Sequence, residues 1–199
     1  GGDTFRVFNL QGSDVVIDGL TISNGRTTVN GQSGGGIRVT GGDLDLLNSV
    51  VTNNHTLGGG ADAGGIFMLS STLVGTGGVL TITDSVVSNN STSGFNSFGG
   101  GISASESDVF ITRTIIDGNS TNSSSGQGLG GGLLIVGADL TVIDSTISNN
   151  QNLGAGSIGG GVVLALYALL MLYGLVISAR ARSQFGRLLG MGVTVTFSL

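Results

Sequence analysis

The chain of 199 residues contains no cysteine, no proline, no tryptophan and no lysine. Without cysteine there is neither a disulfide framework nor a cysteine metal site, so the sequence does not indicate a redox compartment. The net charge is −5, and only four arginines precede residue 162. So few basic residues are a poor electrostatic footprint for nucleic acid, and we expect no nucleic-acid partner.

Glycine, by contrast, supplies 39 of the 199 residues, and a twelve-residue segment recurs five times. Successive copies start 29, 36, 29 and 31 residues apart, a spacing that is typical of a stacked solenoid. The copies occupy residues 14–25, 43–54, 79–90, 108–119 and 139–150.

Positions 2, 4 and 9 of this segment are aliphatic in every copy. A spacing of two places side chains on one face of a strand, and the β-branched content favours strand over helix. A glycine-rich motif of the type GGGI lies between the copies and predicts a third short strand in each coil. We therefore predict an all-β fold, a parallel β-helix of about five rungs over residues 1–160 with a rise of about 4.8 Å per rung.

The succession of GGGI, a strand and LTVIDSTISNN resembles the right-handed parallel β-helix repeat proteins of bacterial surfaces over about residues 1–161. These include adhesin-like and polymorphic outer-membrane types, and they share no catalytic motif. The resemblance implies a cell-surface or secreted, extracellular module with a structural or adhesin-like role. Its partner would be a glycan or a protein.

From residue 162 the repeat pattern stops and an apolar run begins. Residues 162–177 carry no charge, and this run is close to the roughly 17–25 residues that a membrane helix needs. We therefore predict a membrane helix through 162–178. Arg180, Arg182 and Arg187 would lie in a cytoplasmic loop, and a second helix would start near residue 188. The segment LALYALLMLYGLVISARARSQFGRLLGMGVTVTF resembles the RodA/FtsW family of polytopic membrane proteins, but no catalytic residue is carried over with it. Three alternatives stay open for 161–199: a membrane anchor, a splice of two genes, or a RodA-like cell-shape fragment fused to the solenoid.

Position 6 of the segment gives the first candidate site. Asp84, Arg113 and Asp144 occupy it on three successive rungs, which places the two carboxylates roughly 6.5–9.5 Å apart, the separation found in inverting glycosidases. This suggests a polysaccharide-active, pectinase-like enzyme as the alternative function. The competing interpretation is an ion triad that stabilises a corner of the coil.

Position 1 gives a candidate metal site, because it is aspartate in four copies. Stacked carboxylates such as Asp108 and Asp139 suit Ca²⁺, which prefers oxygen ligands. The alternative is that aspartate is favoured at a turn into a strand. No other cofactor is expected.

Position 11 is asparagine in four copies, and asparagine tolerates the left-handed backbone of a tight turn. We predict a structural turn ladder formed by Asn24, Asn53, Asn89 and Asn149. The one histidine, His55, follows two asparagines and is expected to be a solvated loop residue.

Overall fold

The computed structural model describes residues 5–70, 78–154 and 159–164, and these residues form twenty-one short strands in four parallel sheets. The first sheet contains β1 (Phe8–Gln11), β5 (Ile37–Thr40), β9 (Ile66–Leu69), β13 (Ile102–Ser105), β17 (Leu133–Val136) and β21 (Val162–Leu164). The second contains β2 (Val15–Asp18), β6 (Leu44–Leu47), β10 (Gly78–Thr83), β14 (Ser107–Thr112) and β18 (Leu140–Ile143).

The other two sheets are built from shorter strands. The third sheet contains β3 (Thr21–Ser23), β7 (Val50–Thr52), β11 (Val86–Ser88), β15 (Ile115–Asp117) and β19 (Thr146–Ser148). The fourth contains β4 (Arg26–Thr27), β8 (His55–Thr56), β12 (Ser91–Phe95), β16 (Ser120–Ser125) and β20 (Gln151–Asn152). Each of five coils thus gives one strand to every sheet, and the predicted parallel β-solenoid of about five rungs is confirmed.

The pairing register follows the repeat. Leu80 pairs with Leu44 on one side and Val109 on the other, so position 2 stacks on position 2 across unequal loop lengths. The expectation of three strands per coil is wrong, because the fourth sheet was not anticipated. Its strands are polar, as in Arg26–Thr27 and His55–Thr56, and carry no aliphatic alternation from which a strand would be predicted.

The core is a set of aliphatic columns that run along the stack. In the inner coils the side chains at positions 2, 4 and 9 are fully buried, and so are those that follow the glycine motif, as at Ile37 and Ile66. A coil cannot bury these side chains alone, so each rung depends on the next for its share of the core. In the fifth coil Val142, at position 4, is 40% exposed.

The first sheet extends into the segment predicted as a membrane helix, because Val162–Leu164 form β21. The chain divides into two compact units, Gly1–Val163 and Leu164–Leu199. The predicted helix from residue 165 onward, the arginine loop and the start of the second helix lie outside the described residues. Within the part of the chain that the structure describes, no helix is long and apolar enough to cross a membrane.

Candidate functional site

The corner at position 6 brings two of the three predicted site residues together. Nε of Arg113 lies 2.7 Å from Oδ1 of Asp84, and Nη2 lies 2.7 Å from Oδ2, so the two side chains form a bidentate ion pair between adjacent rungs. The backbone is left-handed at both residues and at Asp144, with φ near 50° in each case. The corner therefore holds all three side chains on the outside of the stack.

The electrostatics of this column favour the charged forms. The hydrogen bonds and charge of Arg113 lower the pKa of Asp84, and Asp84 in turn raises the pKa of Arg113, with a smaller contribution from Asp144. Asp84 has both oxygens bonded and stays ionised, so it is a poor proton donor for glycoside cleavage. Asp144 acts on Arg113 through its charge only.

The aspartates at position 1 accept hydrogen bonds from the backbone of the next rung. Oδ1 of Asp108 lies 3.0 Å from the backbone nitrogen of Asp139, and Oδ1 of Asp14 lies 3.0 Å from that of Asp43. Asp43 makes the same link to the following rung, because its Oδ1 accepts a hydrogen bond from the backbone N–H of Val79 at 2.8 Å. One oxygen of each of these carboxylates thus links rungs, and calcium binding by Asp108 and Asp139 stays a prediction.

The asparagines at position 11 lie at exposed turns with left-handed backbone. Their φ values are 61° at Asn24, 55° at Asn53, 54° at Asn89 and 52° at Asn149. The side chain of Asn149 donates to Asp117 of the preceding rung at 2.7 Å. The hydrogen bonds that Ser148 and Asn149 donate to Asp117 lower the pKa of this carboxyl group.

A buried asparagine ladder runs through position 12, one residue further along. Oδ1 of Asn119 accepts from both the backbone and the side-chain nitrogen of Asn90 at 3.0 Å, and Oδ1 of Asn90 accepts in the same way from Asn54. Asn150 continues the ladder beyond Asn119. Sequence reasoning missed this ladder, although asparagine at position 12 in four copies was the available signal.

Each ladder asparagine also donates back to a carbonyl of the previous rung. Nδ2 of Asn90 lies 2.9 Å from the carbonyl oxygen of Val51, and Nδ2 of Asn119 lies 2.9 Å from that of Val87. A second ladder uses the hydroxyls of Ser49, Ser85 and Thr114 at position 7, each of which accepts a backbone N–H of the preceding rung. These bonds satisfy buried polar groups at the corners, where no sheet does so.

His55 is not a loop residue. It lies on β8, it is half-buried, and its Nδ1 is 2.7 Å from Oγ of Ser91 on the next rung. Burial and the neighbouring charge of Arg26 lower its pKa, which favours the neutral ring. In the tautomer protonated on Nε2, Nδ1 accepts a hydrogen bond from the Ser91 hydroxyl. The expected solvated position is wrong because the fourth sheet was not predicted.

Asp62 is the most perturbed carboxyl group. It lies between β8 and β9, its Oδ1 is buried without a hydrogen-bond partner, and burial raises its pKa to about 7. The backbone N–H of Phe98 opposes this rise by bonding the carboxylate. Asp62 is therefore a partly buried carboxyl group whose charge depends on pH near neutrality.

Comparison with known proteins adds no family: no family model, no curated protein and no solved structure matches the chain.

Proposed function

We propose that this protein is a cell-surface or secreted β-solenoid module that binds a glycan or protein partner and performs no chemistry on it. The observation that carries the proposal is that large apolar side chains are exposed close to the ends of fourth-sheet strands in three of the coils. Val29, Phe95 and Leu153 are 56%, 54% and 60% exposed, and each lies at or just after the end of a strand of the fourth sheet. They come from the first, third and fifth coils.

Side chains next to these apolar residues link adjacent rungs. Oδ1 of Asn30 accepts from the backbone N–H of Gly59 at 2.9 Å, and Oδ1 of Asn96 accepts from that of Gln127 at 3.1 Å. A surface held in this way loses little conformational entropy on binding. An exposed aromatic ring such as Phe95 suits the apolar face of a sugar ring or an apolar protein surface.

The test uses the full chain and a panel of immobilised glycans and extracellular proteins. The triple variant Val29→Ser, Phe95→Ser, Leu153→Ser is expected to lose most of the binding. The matched control is Val16→Ser, Phe110→Ser, which removes exposed apolar side chains (64% and 41%) from the second sheet. Equal losses in both variants would contradict the proposed surface.

The enzymatic alternative is tested in parallel by measuring the release of reducing ends from polygalacturonate. The proposed function predicts no release. Release that disappears in Asp84→Asn, Asp144→Asn would overturn the proposal in favour of the pectinase-like reaction.

A further inference from the structure

Two arginine side chains of the first two coils converge on a single acceptor. Nη1 of Arg6 lies 3.5 Å from Oδ1 of Asn9, and Nη1 of Arg38 lies 3.4 Å from the same atom. Because both reach one oxygen, the two nitrogens lie within about 7 Å of each other. Asn9 and Arg38 are register partners on β1 and β5, so the sheet itself sets this arrangement.

Arg6 is held in place by the backbone. Its Nε donates to the carbonyl of Gly34 at 2.7 Å, and its Nη2 donates to the carbonyl of Ser33 at 2.8 Å. The guanidinium group is therefore already oriented before any ligand arrives. A fixed guanidinium loses less entropy per hydrogen bond to a ligand than a mobile side chain does.

The charge of this pair is not compensated within residues 5–70 and 78–154, where the one ion pair is Asp84–Arg113. Burial and the charge of Arg38 both lower the pKa of Arg6. Two like charges at this separation repel, and the amide oxygen of Asn9 offsets only part of that repulsion. An anion bound between the guanidinium groups of Arg6 and Arg38 would offset this repulsion.

We propose that Arg6, Arg38 and Asn9 bind one oxyanion group, a carboxylate or sulfate, of an acidic glycan. Guanidinium groups bind such oxyanions through charge-assisted hydrogen bonds, and Nδ2 of Asn9 adds a donor for a sugar hydroxyl. Nucleic acid is disfavoured, because its affinity comes from many phosphate contacts and this chain has a net charge of −5 with no lysine. The inference rests on the proposed function and names its ligand class.

The experiment measures binding of the full chain to polygalacturonate oligomers and to heparin oligosaccharides, with neutral dextran and a single-stranded oligonucleotide alongside. Arg38→Gln is the main variant, because Arg6→Gln would also remove the bonds to two backbone carbonyls. Arg26→Gln is the matched control, with the same loss of charge in the first coil, on β4. Circular dichroism checks that both variants fold.

We expect Arg38→Gln to weaken binding of an acidic oligosaccharide about tenfold and Arg26→Gln to leave it nearly unchanged. Comparing the affinity for polygalacturonate oligomers with that for heparin oligosaccharides shows whether the site prefers a carboxylate or a sulfate. Equal weakening in both variants, no binding of either acidic oligosaccharide, or tighter binding of the oligonucleotide would each overturn the site. Binding of neutral glycans or proteins that Arg38→Gln leaves intact would overturn the site alone, whereas no binding to any probe would overturn the proposed function as well.

Discussion

The backbone and side-chain nitrogens of Asn90 both lie 3.0 Å from Oδ1 of Asn119, one rung away, and both residues are fully buried. An amide oxygen that accepts two hydrogen bonds recurs at each step of the ladder. Each rung thus satisfies buried polar groups of its neighbour. The ladder is thus a polar counterpart of the aliphatic columns, and it limits each rung to one register.

The first prediction concerns Asn90→Ala. The substitution leaves the side chain of Asn54 and the carbonyl of Val51 without their buried partners, and we expect a loss of about 2–5 kcal/mol in the free energy of unfolding. Urea denaturation of the full chain, followed by circular dichroism, measures it. The control is Asn89→Gly, which keeps the left-handed turn at an exposed neighbour and should change little. Similar losses in the two variants would mean that the ladder does not contribute as inferred.

The sequence allows the aliphatic columns to be predicted because burial restricts positions 2, 4 and 9 to one class of side chain. The inner ladder at Asn54 and Asn90 was not predicted, because a polar residue beside another asparagine is typical of a turn. Its burial depends on the coil geometry, which composition does not give. The fourth sheet was missed for the same reason: Thr56 and Thr92 are buried although the segments around them are polar.

The candidate sites were predictable only where they lie at one repeat position. Asp84 and Arg113 share position 6, so their contact follows from stacking alone. Arg6, Asn9 and Arg38 lie outside the twelve-residue segment, and only the pairing of β1 with β5 brings them together.

A second prediction compares two glycines. A Cβ on Gly101 would lie 2.6 Å from the carbonyl oxygen of Gly132 and 2.9 Å from Cγ of Asn119, whereas a Cβ on Gly59 would have its nearest contacts at 3.5 Å. Gly101→Ala must push adjacent rungs apart, and we expect a loss of about 2–4 kcal/mol in the free energy of unfolding. Gly59→Ala should be close to neutral. Thermal and urea unfolding of both variants provide the comparison, and a stable Gly101→Ala would show that the rungs separate more easily than their packing suggests.

A third prediction is the pH dependence caused by Asp62. Burial raises its pKa in the folded protein to about 7, from 3.8, so the folded state holds a proton that the unfolded state releases between these values. The contribution of Asp62 to stability is therefore present below about pH 4 and is lost as pH rises through 7. The full change is roughly 4 kcal/mol.

Asp62→Asn removes this titration. The variant should be more stable than the wild type at pH 8 and should show a flatter profile between pH 4 and pH 7. The difference in urea midpoint between variant and wild type, measured across this range, isolates the contribution of Asp62. A difference that does not change with pH would contradict a buried, protonated Asp62.

The fourth prediction concerns the exposed pair of Asp84 and Arg113 and has the opposite sign. Because Arg113 lowers the pKa of Asp84, the pair contributes stability above the unfolded pKa of aspartate, and this contribution is lost as pH falls through the lower, folded pKa. Asp84→Asn should therefore differ from the wild type at neutral pH and converge with it in acid. The effect should be much smaller than that of Asn90→Ala and should shrink in 1 M NaCl, because the side chains of Arg113 and Asp84 are 54% and 44% exposed.

Asp144→Asn is the control, because it removes a carboxylate from the same column, and the structure shows no bond between Asp144 and Arg113 among the described residues. Urea midpoints measured from pH 2 to pH 7 at low and high salt distinguish the variants. If Asp144→Asn and Asp84→Asn give the same profile, the bidentate geometry contributes nothing beyond net charge. A profile specific to Asp84→Asn would instead show that this ion pair links adjacent rungs, as the interpretation of position 6 as a structural ion cluster predicts.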